Sequence, residues 1–363
     1  MTRLEKVRNN LDKLGCDAAI ISGAQNIRYL SGFSGSWALV LLTPSVLALV
    51  TDGRYVAQAE QELDSHLSRS ESYEVIRCGG KADLAPVKVR LEAASVERIG
   101  YESHHVSAAG YWRLNEALGD REFVDVGLLV EKVRSVKDEA EIASIAEAAA
   151  IADKAFDHII DLIEPGMAES DVALEIEVFM RKNGAEKVSF DVIVASGPRS
   201  AMPHALATDK SLDVGEFVKL DFGAVRSGYH SDMTRTVVLG RATRRQVRIH
   251  GLVRAAQERA LESIEVGQKG RDIDAKARAV FAEAGEAEAF VHNLGHGVGL
   301  SVHERPVLGK ESEEVLEPGM VFSIEPGLYY EGFGGVRVED LVVLGQDGVR
   351  ILTKSSRDLK EIG

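Results

Sequence analysis

The residues best equipped for chemistry in this chain are carboxylates set inside apolar runs. In FVKLDFGAVRSGYHSDMTRT, residues 217–236, Asp221 and Asp232 lie on either side of a short turn. Val218, Leu220 and Phe222 alternate with Lys219, Asp221 and Gly223, a strand pattern, and Arg226-Ser227-Gly228 supplies turn chemistry before a second run. A two-residue loop at Arg226 and Ser227 sets Asp221 directly opposite Asp232, with Cβ atoms about 5 Å apart. Opposed like charges destabilise a sheet, so a cation between them is the economical reading. Two solvated acids on an exposed hairpin is the alternative. In MVFSIEPG, residues 320–327, Ser323 and Glu325 share one face while Phe322 and Ile324 take the other. In GGVRVEDLVV, residues 334–343, Arg337 and Glu339 share a face opposite Val336 and Val338. An acid within an apolar strand is expensive to bury unless paired with a charge or a metal. Four strands thus each offer one such carboxylate: Asp221, Asp232, Glu325 and Glu339.

Four of the ten histidines fall in two short segments of the same half. SGPRSAMPHALATDK carries His204, and VHNLGHGVGLSVHERP carries His292, His296 and His303. Gly295, Gly297 and Gly299 bracket His296 and let the backbone crowd close to something. Taken alone, a histidine is more often a satisfied core or surface group than a ligand. Four carboxylates and one imidazole, however, form a hard, oxygen-rich donor set that suits a pair of divalent ions such as manganese, cobalt or zinc. Two ions about 3.5 to 4 Å apart need bridging carboxylates, and they activate a water as nucleophile near neutral pH.

The elements that must position these residues follow from the pattern along the chain. With 363 residues the chain suggests two domains. The first helix places Leu4, Val7, Leu11 and Leu14 on one face and stops at Gly15, and DAAIISG then reads as a buried strand. Strands and helices alternate up to about residue 128, an α/β domain. From Lys137 the character changes. A long Ala-rich helix ends at Pro165-Gly166, and a second, SDVALEIEVFMRKNG, has Ser170 in a capping position and Gly184 as its left-handed stop. Strands follow at 187–195 and in the hairpin, then helices over about 243–285, then the two acid-bearing strands. Residues 129–363 therefore read as an α+β domain, helices flanking an antiparallel sheet, without sequence repeats.

At 45% hydrophobic and 28% charged residues the composition is that of an ordinary soluble protein. The net charge of −14 argues against nucleic acid or an anionic membrane as partner and suits cations and small neutral ligands. Cys16 and Cys78 stand far apart, supporting neither a disulfide framework nor a thiolate zinc site, as expected of a cytoplasmic protein. The first residues, MTRLEKVRNNLDKLG, lack a signal-peptide core, and the longest apolar run, WALVLLTPSVLALV, is broken by Thr43-Pro44-Ser45. The segments GHGVG and GFGG are glycine-rich but lack a dinucleotide or phosphate-loop context.

The segments KLDFG, GYHSDMTRT, GHGVGL, SIEPG and VRVED, in that order, closely resemble the metallopeptidases of the pita-bread fold, which include methionine aminopeptidase, aminopeptidase P, prolidase and creatinase. NIRYLSGFSGS and TDGRY resemble the creatinase-type amino-terminal domain of the Xaa-Pro peptidases, so the likeness covers nearly the whole chain. The resemblance implies that Asp221 and Asp232 hold one ion, that Asp232, His296 and Glu325 hold the other, and that Glu339 also bridges. It makes Glu325 a proton shuttle and His303 the group that stabilises the tetrahedral intermediate or grips the substrate backbone. His204, which joins these two among the catalytic candidates, and His292 are to line the pocket for proline after the scissile bond. Arg337 orients the ligands or contacts the substrate carboxylate, the former being favoured. His230 is at best a pocket-wall group. Asn293 and Ala205 depart from residues more usual in relatives and bear on the pocket alone.

The expected activity is that of an Xaa-Pro aminopeptidase. An Xaa-Pro dipeptidase, or prolidase, is the alternative, and a pita-bread module that binds peptides without catalysis is the reading from another class. Methionine aminopeptidase fits poorly, because those enzymes lack such a first domain; creatinase lacks the metal set. The resemblance further implies a homodimer, with the first domain near the neighbour's active site.

Overall fold

The structure, a computed structural model, describes residues 1–66, 73–80 and 83–363. The chain forms two compact units, Met1–Arg134 and Ser135–Gly363. The division lies after most of helix α6 (Leu129–Ser135), six residues beyond the boundary expected at 128.

The first unit is built on a six-stranded mixed sheet. Its strands are β1 (Ala18–Ile21), β2 (Leu39–Leu42), β3 (Leu47–Asp52), β4 (Glu74–Cys78), β5 (Arg98–Tyr101) and β6 (Glu122–Asp125), in the order β4-β3-β2-β1-β5-β6. The helices are α1 (Arg3–Lys13), α2 (Ala24–Ser31), α3 (Val56–His66), α4 (Ala85–Ala93) and α5 (Ala108–Leu118). Thr2 and Glu5 form a reciprocal cap on α1, which buries Leu4, Val7 and Leu11. Leu14 does not join that stripe: the helix stops at Lys13, and Leu14, its cap, is 42% exposed. All four residues of β1 are buried, as a central strand requires. Cys16 and Cys78 are both buried and unbridged.

The second unit repeats one arrangement, a helix pair followed by a sheet. Helices α7 (Glu139–Ile160) and α8 (Glu169–Lys182) precede strands β7 (Lys187–Val188), β8 (Ile193–Ser196), β9 (Phe217–Phe222), β10 (Ala224–Arg226), β11 (Tyr229–His230) and β12 (Met233–Leu239). Helices α9 (Arg244–Glu262) and α10 (Gly270–Glu283) precede β13 (Gly295–Gly297), β14 (Glu304–Leu308), β15 (Val321–Ile324), β16 (Gly327–Tyr330), β17 (Gly334–Arg337), β18 (Asp340–Gly345) and β19 (Gly348–Ile351). A last strand, β20 (Glu361–Ile362), returns to β12, giving sheets β20-β12-β9-β8 and β14-β13-β15-β18-β19. Each helix pair packs its own core: Ile151, Phe156 and Ile176 lie against Val218, Leu220 and Val237, and Val253, Ala277 and Phe281 against Phe322 and Val342. Sequence repeats are absent because what recurs is the apolar spacing of paired helices, which many residue choices satisfy. No helix among the described residues is long and apolar enough to cross a membrane.

Helix α8 is not capped by Ser170. Its N-cap is Ala168, without a side-chain hydrogen bond, and buried Glu169 instead turns back to accept from Ser196 and Thr208. Gly184, at φ 101°, stands where the left-handed stop was expected.

The hairpin's register differs from the expected one. Val225 pairs with His230 and Arg226 with Tyr229, so Ser227 and Gly228 are the two loop residues. Their φ values of 51° and 79° are those a primed two-residue turn demands. Asp221 therefore faces Thr234, not Asp232. The sheet is also interrupted: Asp232 lies in the break between β11 and β12, opposite the break at Gly223. A Cβ on Gly223 would stand 1.8 Å from the Ser231 carbonyl oxygen, so the kink that swings Asp232 inward needs glycine there. Gly223→Ala is expected to lower unfolding stability by about 2 kcal/mol, read from urea denaturation; an unchanged midpoint would show that the kink tolerates a side chain.

Candidate metal centre

The acids expected on four strands converge, but only Asp221 sits within one. Asp232 occupies the β11–β12 break, Glu325 follows β15, and Glu339 fills the single gap between β17 and β18 with Val338. Strand ends free a side chain from the rigid alternation of the pleat, so acids from different sheets can aim at one point. Asp221 and Asp232 come from the first helix-and-sheet half, His296, Glu325 and Glu339 from the second. The site lies where the halves meet, sealed by Glu339 N donating to the Thr234 carbonyl at 3.1 Å.

Donor atoms of Asp221, Asp232 and Glu339 lie within 4.8 Å of one another, and so do those of His296, Glu325 and Glu339. Glu339 is common to both groups. Asp232, His296 and His303 form a third such group, so Asp232 too faces both ways. Oxygen and nitrogen ligands bind zinc-like ions at about 2.0–2.2 Å, a length that lets one ion touch three donors so spaced.

The surroundings orient these groups. The Arg337 guanidinium, almost fully buried, donates through Nη2 to Asp221 Oδ2 and through Nε to Thr234 Oγ1 at 2.9 Å. Thr234 Oγ1 in turn donates to Glu339 Oε2 at 2.7 Å. The other oxygen, Glu339 Oε1, is buried with no hydrogen-bond partner among the described residues. An orphaned carboxylate oxygen of this kind is expensive, and a cation at that point is the partner its chemistry calls for. Ser323 Oγ donates to Glu325 Oε1 at 3.2 Å and accepts from His296 N at 3.1 Å. Behind the site, Arg235 pairs with Asp340 at 2.6 Å and with the Glu339 carbonyl, fixing the backbone that carries Glu339.

The glycines around His296 act as expected. A Cβ on Gly295 would stand 2.0 Å from the Ser323 carbonyl oxygen, and one on Gly297 2.0 Å from that of Arg305. The neighbouring strands β14 and β15 are thus pressed against the backbone of β13, which brings the imidazole Nε2 within 3.3 Å of Glu325 and 3.6 Å of Asp232.

A cavity of about 260 Å³ opens on the centre, lined by His204, His303, Arg337, Asp191 and the apolar Phe190, Ile193 and Leu206, besides the acids and His296. His292 does not line it: its Nε2 meets the Tyr329 hydroxyl at 2.9 Å and its Nδ1 the Asn293 carbonyl at 2.7 Å. Tyr329 also accepts from Arg337 Nη1 at 3.1 Å, so His292 reaches the centre through hydrogen bonds. His230 does not line the cavity either; its backbone nitrogen donates to the Gly299 carbonyl at 2.8 Å. Thr234, Tyr329, Lys219 and the apolar lining escaped the sequence reading. Lys219 had a legible signal, since it shares the parity of Asp221 along β9 and must face the same way.

Without ions the centre carries too much negative charge to ionise fully. Burial, then Glu339, Asp221 and Glu325, push the Asp232 carboxyl well above its usual range. Burial, with Glu325 and Asp221, pushes Glu339 to about 8. Burial also raises Glu325, but the His296 hydrogen bond and charge outweigh it and hold this acid low. A carboxyl raised in the folded state contributes stability below its unfolded pKa and loses it as pH rises through the folded value. Chelated protein is therefore expected to lose thermal stability between about pH 5 and pH 9. Metal-loaded protein does not, because ions take the place of the protons. Unfolding temperatures with and without EDTA that stay parallel across this range would contradict the assignment.

The first unit matches the creatinase/prolidase amino-terminal domain over residues 3–136, and residues 143–346, more than half the chain, match metallopeptidase family M24. The Xaa-Pro dipeptidase of Pyrococcus horikoshii is 37% identical over 358 residues, covering 98% of either chain. Among solved structures, an Xaa-Pro dipeptidase from Bacillus anthracis superposes with a TM-score of 0.94 at 39% identity, covering 99% of both chains. An X-Pro aminopeptidase from Thermotoga maritima superposes at 0.88 with 37% identity, covering 98% of this chain and all of the other. The carboxylates and imidazole gathered between two helix-and-sheet halves thus sit in a pita-bread fold, and the chain belongs to metallopeptidase family M24.

Proposed function

We propose that the protein is an Xaa-Pro dipeptidase that hydrolyses the bond between an amino-terminal residue and a following proline, using two divalent ions. The observation that carries this reading is the convergence of Asp221, Asp232, His296, Glu325 and Glu339 on a small cavity. At about 260 Å³ the cavity falls below the range for drug-sized ligands and suits a short peptide. Relatives named Xaa-Pro dipeptidase or prolidase recur among the similar proteins and structures, which supports the dipeptide over the longer peptides of the aminopeptidase placed first from sequence.

Asp221, Asp232 and Glu339 would hold one ion, and His296 and Glu325 the other, with Asp232 and Glu339 shared. Such a pair supplies Lewis-acid polarisation and activates water at neutral pH. Manganese, cobalt or zinc suits the donors. Glu325, beside the ions and fixed by Ser323, takes a proton and passes it to the leaving nitrogen. Burial, with the nearby His296, lowers the His303 pKa, so a neutral imidazole faces the carbonyl and donates to the oxygen on which charge develops. His204 grips the proline side, against the apolar wall of Phe190, Ile193 and Leu206. Arg337 holds Asp221 in place. A homodimer acting in the cytoplasm completes the proposal.

Purified protein with manganese is expected to release proline from Xaa-Pro at least about tenfold faster than the first residue from Xaa-Pro-Yaa, and EDTA is expected to abolish both. Equal or faster release from the tripeptide would restore the aminopeptidase reading, and no metal-dependent release from either would remove the function. His303→Ala is expected to lower kcat by about 100-fold; an unchanged kcat would take the residue out of the mechanism.

A further inference from the structure

Lys219 precedes Asp221 by two residues on β9, points to the same side, and is fully buried. Its Nζ donates to three carbonyl oxygens of one short turn: Ser200 at 3.3 Å, Met202 at 2.6 Å and Pro203 at 3.1 Å. Arg337 Nη1 donates to the Pro203 carbonyl as well, at 3.2 Å. Carbonyls that converge on one buried point repel one another and each requires a donor. A lysine amino group, with several donors on one nitrogen at the end of a long stem, meets that requirement where a single hydroxyl or amide does not. The start of the turn is tied separately: Ser200 Oγ donates to the Gly197 carbonyl at 2.6 Å and accepts from Gly335 N at 2.9 Å. Met202 turns outward at 45% exposure. The residue after the turn is His204, on the cavity wall, and beyond it the chain is held again where Ala205 is buried against Ile193 and Ala195.

We propose that Lys219 is a positioning residue: by gathering the carbonyls of residues 200–203 it sets where His204 stands, and so tunes recognition of the residue after the scissile bond. The inference rests on the substrate-gripping role of His204 proposed above. It differs from the metal-ligand assignments, since among the described residues the hydrogen bonds of Lys219 Nζ all go to backbone carbonyls.

The test uses full-length metal-loaded enzyme carrying Lys219→Met, which keeps the side-chain length and removes every donor, beside His204→Ala and the double variant. Lys219→Met is expected to retain its bound metal, to raise KM for the Xaa-Pro dipeptide by about 10- to 100-fold with a smaller change in kcat, and to lose preference for proline over alanine by a similar factor. The double variant is expected to be no worse than His204→Ala alone. A crystal structure of Lys219→Met is expected to show the backbone of residues 200–204 displaced. If Lys219→Met does not fold, Lys219→Gln, which keeps one amide donor group, is taken through the same measurements. A turn that stays in place in the crystal, or a Lys219 effect that multiplies with that of His204→Ala, would overturn the proposal. If His204→Ala alone binds and turns over substrate normally, the role of His204 fails, while the position of the turn in the crystal still decides that of Lys219.

Discussion

Mutual repulsion among buried carboxylates is the constraint on which the rest of the second unit depends. Two unit charges about 5 Å apart at an effective dielectric of about 20 repel by roughly 3 kcal/mol. Asp221, Asp232, Glu325 and Glu339 offer several such pairs, and Asp221, Asp232 and Glu339 are almost wholly buried. Arg337 and His296 offset part of this charge but leave Glu339 Oε1 without a hydrogen-bond partner among the described residues. A protein keeps such an arrangement because cations complete it, at the cost of a fold that is poorly balanced without them.

Much of the local architecture serves to hold these acids together. Gly223 permits the kink that turns Asp232 inward, Gly295 and Gly297 let β14 and β15 close on His296, and Thr234 and Ser323 fix one oxygen each of Glu339 and Glu325. Placing three of the four acids at strand ends gives up ladder hydrogen bonds locally and gains freedom of aim. The two helix-paired halves supply the stiffness behind them: each sheet is backed by its own apolar core, so the centre is shared between two rigid pieces. At the cavity wall the buried side chains of Lys219 and Arg337 gather the carbonyls of residues 200–203, next to His204.

The donor set was legible in the sequence because acids and a glycine-flanked imidazole inside apolar segments contradict ordinary burial, and contradictions of that kind point to function. The two-domain α/β and α+β organisation was legible from helical and strand periodicity. The hairpin register was not. Arg226-Ser227-Gly228 contains two possible two-residue loops, and the choice rests on positive φ at Ser227 and Gly228, which composition alone does not reveal. The inference that Asp221 and Asp232 share a site survived the wrong register, because the break opposite Gly223 moves Asp232 back toward the partner it had lost by slipping. The ring of His292 is turned toward a hydroxyl by its neighbours Phe290 and Tyr329, and tertiary contacts of that sort leave no periodic trace. Lys219 shares the face of Asp221 in the alternating pattern, but that pattern does not show that β9 is central and buried on both faces.

The central claim is that five side chains from separate breaks and strands bind a pair of ions between them. Anomalous X-ray scattering from crystals of manganese-loaded protein tests it most directly. Two adjacent peaks are predicted, one among Asp221, Asp232 and Glu339 and the other beside His296 and Glu325. A well-diffracting, metal-saturated crystal with no peak at these residues, or with its only peaks elsewhere, would contradict the account.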